Sequence, residues 1–134
     1  MTPVFADTFY FLALLNPRDV AHARAVDFSE KQEIPVLTTA WVLTEVADAL
    51  SQPPGRSIVT ALLRNLETDT LFTILPPDPV LFRQGIDLYS SRPDKNWSLT
   101  DCISFAAMRQ HGLTESLTGD RHFEQAGFKA LLLP

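Results

Sequence analysis

Short apolar runs alternate along this chain with longer segments whose apolar residues recur at helical spacing. Pro3-Val4-Phe5-Ala6 reads as a first buried strand that ends at Asp7. Thr8 to Leu15 is almost wholly apolar, as in a helix packed on both sides, and Asn16-Pro17 closes it. From Arg18 to Gln32, Val20, Ala21, Ala23, Val26 and Phe28 sit among charges and predict an amphipathic helix. Ile34 to Thr38 predicts a second strand, with Pro35 near its start, where a missing N–H matters least. A helix follows from Ala40 to Leu50, and Ser51-Gln52-Pro53-Pro54-Gly55 breaks the chain.

The alternation then repeats. Ser57 to Leu66 is helical, with Ile58, Ala61, Leu62 and Leu66 on one face, and Leu71 to Leu75 is a third strand. Pro76-Pro77-Asp78-Pro79 starts a helix that runs to about Tyr89, and a Ser90 to Trp97 loop leads into a helix carrying Asp101 and stopped by Gly112. Glu115 to Thr118 is a fourth strand, Arg121 to Gln125 a short helix, and Lys129 to Leu133 a fifth strand. None of the strands is joined to the next by a hairpin-type turn, so the sheet is expected to be mainly parallel and covered on both faces. The expectation is one α/β domain spanning residues 1–134.

Composition narrows the class. A chain of 134 residues, 46% hydrophobic and 20% charged, can bury a proper core without staples. No apolar run approaches the roughly 20 residues that span a bilayer, so no membrane association is expected. The N-terminal run lacks an early Lys or Arg, is interrupted by Asp7 and shows no small-residue cleavage site, so it reads as folded structure. Cys102 is the single cysteine, which excludes an internal disulfide and a cysteine-based zinc site and points to a reducing cytoplasm. The net charge of −5 argues against a general duplex-binding face. It does not argue against a nuclease, whose carboxylates enter that sum.

Parallel sheets bind ligands at the carboxyl ends of their strands. Asp7 ends the first strand and Asp120 follows the fourth. Asp101 begins a helix leading into that fourth strand, and Glu45 lies early in the helix after the second. Four carboxylates from separate parts of the chain are thus expected at one edge. Like charges so placed raise one another's pKa or require a cation. Oxygen ligation without cysteine or an evident histidine pair suits Mg²⁺ or Mn²⁺, ions that activate water and neutralise charge in phosphodiester hydrolysis.

Each acid also has an ordinary structural reading, with Asp7 the least so. Asp101 could be the N3 member of a capping box begun by Ser98, or follow a cap at Thr100. Asp120 could cap the helix from Arg121, and Glu45 could be a solvated helix residue. Asp7 lies between Val-Phe-Ala and Phe-Tyr-Phe, where an unpaired acid would be costly. His22 and His111 read as surface residues. His122 reads more readily as a surface residue than as a substrate contact. Trp41, Trp97 and the nine Phe read as core, and Cys102 as an inert buried thiol.

Three blocks, VFADTFYFLALLN, TTAWVLTEVADAL and NWSLTDCISFAAMRQHGLTESLTGDRHFEQAGF, together resemble the PIN-domain family, and within it the small VapC-type toxin ribonucleases. The resemblance implies a three-layer α/β/α fold with a five-stranded, mainly parallel sheet. It also implies an acidic pocket for one or two Mg²⁺ or Mn²⁺ ions. The family's acids fall on Asp7, Glu45, Asp101 and Asp120, with hydroxyls at Thr8 and Thr118. Asp7, Asp101 and Asp120 would ligate metal, and Glu45 would hold or activate the attacking water. The implied activity is metal-dependent endoribonuclease action, the implied partners an RNA substrate and an antitoxin, and the implied assembly a homodimer. Many relatives carry another carboxylate two residues after the last acid, where this chain has His122.

Arg18, Arg56, Lys95 and Arg121 are candidate RNA contacts, with Thr8, Thr118 and Arg121 nearest the acids in sequence. The competing function is a PIN fold that binds RNA or protein without cutting, against which the retention of four acids argues. A receiver-like phosphoacceptor domain would need paired acids after its first strand and a late catalytic lysine, and the chain has neither.

Overall fold

The computed structural model describes residues 2–134. Its strands are β1 (Val4–Ala6), β2 (Val36–Thr39), β3 (Phe72–Leu75), β4 (Glu115–Leu117) and β5 (Lys129–Ala130). Between them lie α1 (Thr8–Leu15), α2 (His22–Glu30), α3 (Ala40–Ala49), α4 (Gly55–Thr68), α5 (Pro79–Ser91), α6 (Leu99–Gln110) and α7 (Arg121–Gln125). All strand pairings are parallel, in the order β3-β2-β1-β4-β5. Helices cover both faces in a three-layer α/β/α arrangement, so β1 and β2 are buried at every position without alternation, and the buried hydroxyls of Thr38 and Thr39 are hydrogen-bonded.

This strand order fixes where a ligand can sit. The chain steps from β1 to β2 to β3 in one direction, then crosses back to lay β4 on the opposite side of β1. The connections leaving β1 and β4 therefore diverge, opening a crevice at the carboxyl ends of those two strands. Their register pairs Ala6 with Leu117, which brings Asp7 and Thr118 level at that edge.

The core holds the edge rigid. Phe5, Tyr10, Phe11, Ile103, Phe105, Met108 and Phe123 are fully buried, each contributing roughly 1.5–3 kcal/mol of burial. Phe105 of α6 meets Phe123 of α7 edge-on at 4.9 Å and Trp97 at 5.1 Å. Gly85 of α5 lies so close to α6 that a Cβ there would run into the Ile103 side chain. These contacts mount α6, and with it Asp101, between α5 and α7.

Two predicted boundaries differ for local reasons. The helix expected from Arg18 begins only at His22, because Asn16 Oδ1 accepts from Arg18 N at 3.0 Å and Asp19 Oδ1 from Ala21 N at 2.8 Å. These short side-chain bonds hold the preceding residues in turns instead. The strand expected from Lys129 to Leu133 is regular only to Ala130, although Leu131 N and Leu132 N still bond Ser116 O and Thr118 O at 2.9 and 3.0 Å.

Candidate active site

Asp7 leaves the end of β1 buried, and the Thr118 hydroxyl just past β4 donates to its Oδ2 at 2.9 Å. That hydroxyl also accepts from Asp120 N at 3.0 Å, so one threonine ties the ends of two strands to the start of α7. Gly119 between them has no side chain because Phe9 of α1 packs against it, and a Cβ would run into the phenyl ring. The Thr-Gly-Asp turn is thus held by a hydrogen bond on one side and close packing on the other.

Asp101 arrives on the first turn of α6. Ser98 Oγ accepts from Asp101 N at 3.0 Å, and Asp101 Oδ2 accepts from Ser98 N at 3.1 Å, a complete capping box. Asp120 caps α7 in turn, its Oδ1 accepting from His122 N at 2.8 Å. Both structural readings of these acids hold geometrically, yet each cap uses one carboxylate oxygen. Among the described residues, Asp101 Oδ1 and Asp120 Oδ2 take no hydrogen bond and remain available.

His122 joins the acids rather than the surface. Its Nδ1 lies 3.1 Å from Asp101 Oδ2 and 3.4 Å from Asp120 Oδ1, and the ring is half-buried. One donor atom from each of Asp101, Asp120 and His122 falls within 4.8 Å of the others. The signal available in sequence was position: two residues after a helix-capping acid, the imidazole must lie in the first turn beside it.

That triplet includes neither Asp7, which is linked to Asp120 through Thr118, nor Glu45, which is half-buried on the second turn of α3 and whose side chain makes no hydrogen bond or ion pair among the described residues. Helix α3 touches α1 and α6, which carry or adjoin Asp7 and Asp101. Thr8 is buried beside Asp7 and its hydroxyl has no partner. Arg121 points outward, its guanidinium paired with Glu124 at 3.0 Å.

The electrostatics show the cost of this arrangement. Burial pushes the Asp7 carboxyl up to about 7; the Thr118 bond pulls it back, and Asp101 and Asp120 add repulsion. Burial likewise raises Asp101, against the lowering effects of Ser98 N and His122. Carboxylates this strained are relieved by a cation. The residues fit one: Asp101, Asp120 and His122 offer donor atoms within 4.8 Å of one another, and Asp7 is tied to Asp120 through Thr118. The imidazole makes the donor set mixed, where the sequence suggested oxygen alone.

A buried acidic cluster at the switch point of this sheet, with its Thr-x-Asp turn, defines a class. The chain belongs to the PIN domain family, whose model matches residues 4–129. It is similar to the 23S rRNA-specific endonuclease VapC20 of Mycobacterium tuberculosis, 29% identical over 126 residues that cover 93% of this chain and 95% of that protein. The crystal structure of M. tuberculosis VapC20, described as a sarcin–ricin loop cleaving toxin, superposes with a TM-score of 0.84 at 26% identity, covering 93% of this chain and 95% of that one. FitAcB from Neisseria gonorrhoeae shares the fold, with a TM-score of 0.64 at 21% identity over 95% and 94% of the two chains.

Proposed function

We propose that this protein is an endoribonuclease of the VapC type, using Mg²⁺ or Mn²⁺ to hydrolyse RNA phosphodiester bonds as the toxin of a toxin–antitoxin pair. The observation that carries this reading is the convergence of Asp7, Asp101, Asp120 and His122 where β1 and β4 end, with Asp7 held by Thr118. The likeness to VapC20 over nearly the whole chain supports RNA, and structured ribosomal RNA first, as the substrate class.

Asp7, Asp101 and Asp120 are the residues that would hold the cation, with His122 beside them. When bound, the cation supplies Lewis acidity and charge neutralisation at the phosphate. The chain's own part is positional. Thr118 fixes the Asp7 carboxylate, the capping box fixes Asp101 and α7 fixes Asp120, so no side chain must reorganise when substrate arrives. Glu45, across α3, would orient the attacking water. Thr8 and Thr118 would flank the bound phosphate, with Arg121 as an outer contact once released from Glu124. A homodimer and an antitoxin that blocks the pocket follow from the family resemblance, and action in the cytoplasm from the single cysteine.

The reading is tested with a panel of structured RNAs that includes a sarcin–ricin stem-loop. Cleavage that requires a divalent cation and is lost in Asp101→Asn supports it. No cleavage of any RNA with either ion contradicts it.

A further inference from the structure

A second feature adjoins the N-terminus of α6. The loop from α5 to α6 borders an open pocket of about 520 Å³, lined by Tyr89, Arg92, Lys95, Asn96, Trp97 and Cys102 among others. Trp97 forms its rigid wall: the indole is buried, and its N–H donates to Gln125 Oε1 at 3.1 Å on the last turn of α7. Two cations lie against that ring, Arg92 Cζ 5.2 Å and Lys95 Nζ 5.8 Å from its centroid. Tyr89 leaves about half its surface exposed at the rim.

In a chain of net charge −5, two cations lie on one aromatic wall, Arg92 paired with Asp94 and Lys95 without an ion pair among the described residues. Their position ties them to the acids. Trp97 is followed at once by the Ser98–Asp101 capping box, and Cys102 on the pocket wall is the neighbour of Asp101. Arg92 is held by both oxygens of Asp94, each at 2.9 Å. Cations held on an aromatic plane beside a free tyrosine face are the components of a single-strand nucleic-acid subsite, which tracks phosphates by charge and bases by stacking.

We propose that this pocket is the subsite for the RNA strand flanking the cleaved bond, with Arg92 and Lys95 taking backbone phosphates and Tyr89 stacking a base. The proposal rests on the ribonuclease reading above and names where its substrate is gripped. Asp94 acts on the same site in the opposite sense, because it occupies the Arg92 fork that a phosphate would take.

The test uses the full chain carrying Asp7→Asn, so that RNA is bound without being cut, and a fluorescein-labelled RNA stem-loop read by anisotropy across a salt series. Adding Arg92→Gln and Lys95→Gln together is expected to weaken binding about tenfold. It should also lower the slope of log affinity against log salt by about 1.4, roughly 0.7 for each lost phosphate contact. Tyr89→Ala is expected to weaken binding at least fivefold with the slope unchanged. Asp94→Asn is expected to tighten binding about threefold, and to lose that gain when Arg92→Gln is also present, which a general loss of negative charge would not do.

Unchanged affinity and slope in the Arg92/Lys95 variant, with melting temperature retained, overturns the subsite and leaves the ribonuclease reading standing if the unsubstituted chain cuts RNA. A change in subunit assembly with unchanged RNA binding also overturns it, by making the pocket a protein contact. If the Asp7→Asn chain binds no RNA and the unsubstituted chain cuts none, both proposals fail.

Discussion

The Thr118 hydroxyl donates to Asp7 Oδ2 at 2.9 Å across the ends of β4 and β1, joining residues 111 positions apart in sequence. It is the principal contact that favours the ionised form of a carboxylate whose burial favours the neutral one. Thr118→Val keeps the shape and removes the bond, so the Asp7 carboxyl should titrate above 7. In the cation-free protein this should appear as a higher Asp7 titration followed by NMR, and at neutral pH cleavage should need about tenfold more cation. The orphaned Asp120 N–H adds a stability loss of about 1–3 kcal/mol. An unshifted Asp7 titration would show that Thr118 only fills space.

Stability of the cation-free protein should fall as pH rises. The folded chain keeps a proton on Asp7 up to about pH 7, whereas the unfolded chain releases it near its ordinary value of 3.8. Between those values the folded state binds more protons, so stability is lost with rising pH and levels off above about 7. The raised Asp101 carboxyl acts in the same direction. Thermal unfolding in chelator should show this slope, and Asp7→Asn should flatten it and melt higher at about pH 8. A melting temperature that climbs across this range would contradict the assignment.

Asp101 holds a helix cap and a site position at once, and substitution separates them. Asp101→Asn retains an oxygen to accept from Ser98 N, so it should fold with a loss below about 1 kcal/mol while cleavage drops at least a hundredfold. Ser98→Ala removes the reciprocal bond to Asp101 N and should cost about 1 kcal/mol of stability with cleavage largely kept. Chemical denaturation and initial-rate assays on the two variants give the comparison. Parallel losses of stability and rate in both would make the acid a cap alone.

His122 should matter to the site and little to the fold. It is half-buried and touches both Asp101 and Asp120. His122→Ala should lower cleavage at least tenfold and change the relative affinity for Mn²⁺ and Mg²⁺ in calorimetric titration, since an imidazole favours the transition ion. An unchanged ratio of the two affinities would place the ring on substrate instead.

The centre of the sheet was legible because β1 and β2 are buried at every position and open on apolar residues. Val4–Ala6 and Val36–Thr39 admit little else. Helix α1 was legible over its full length for the same reason. The start of α2 was not, because Asn16 and Asp19 bond backbone N–H groups two residues on, and nothing in the amphipathic period reports that. Asp7, Asp101 and Asp120 could be read from their places at strand and helix ends. The sequence offered a choice between cap and ligand for the latter two, and the structure shows one carboxylate oxygen spent on each cap. His122 was underweighted because a lone histidine carries no pattern; only the fold of α7 back onto α6 brings it to Asp101. The Arg92–Lys95–Trp97 cluster depends on loop geometry that hydrophobic periodicity cannot encode.

The most direct measurement is cleavage of a structured RNA by the unsubstituted chain and by Asp7→Asn, each with Mg²⁺, with Mn²⁺ and with chelator. The account predicts cleavage by the unsubstituted chain with a divalent cation, none in chelator, and at least a hundredfold loss in a folded Asp7→Asn protein. Equal cleavage by both chains, or cleavage that persists in chelator, would contradict it.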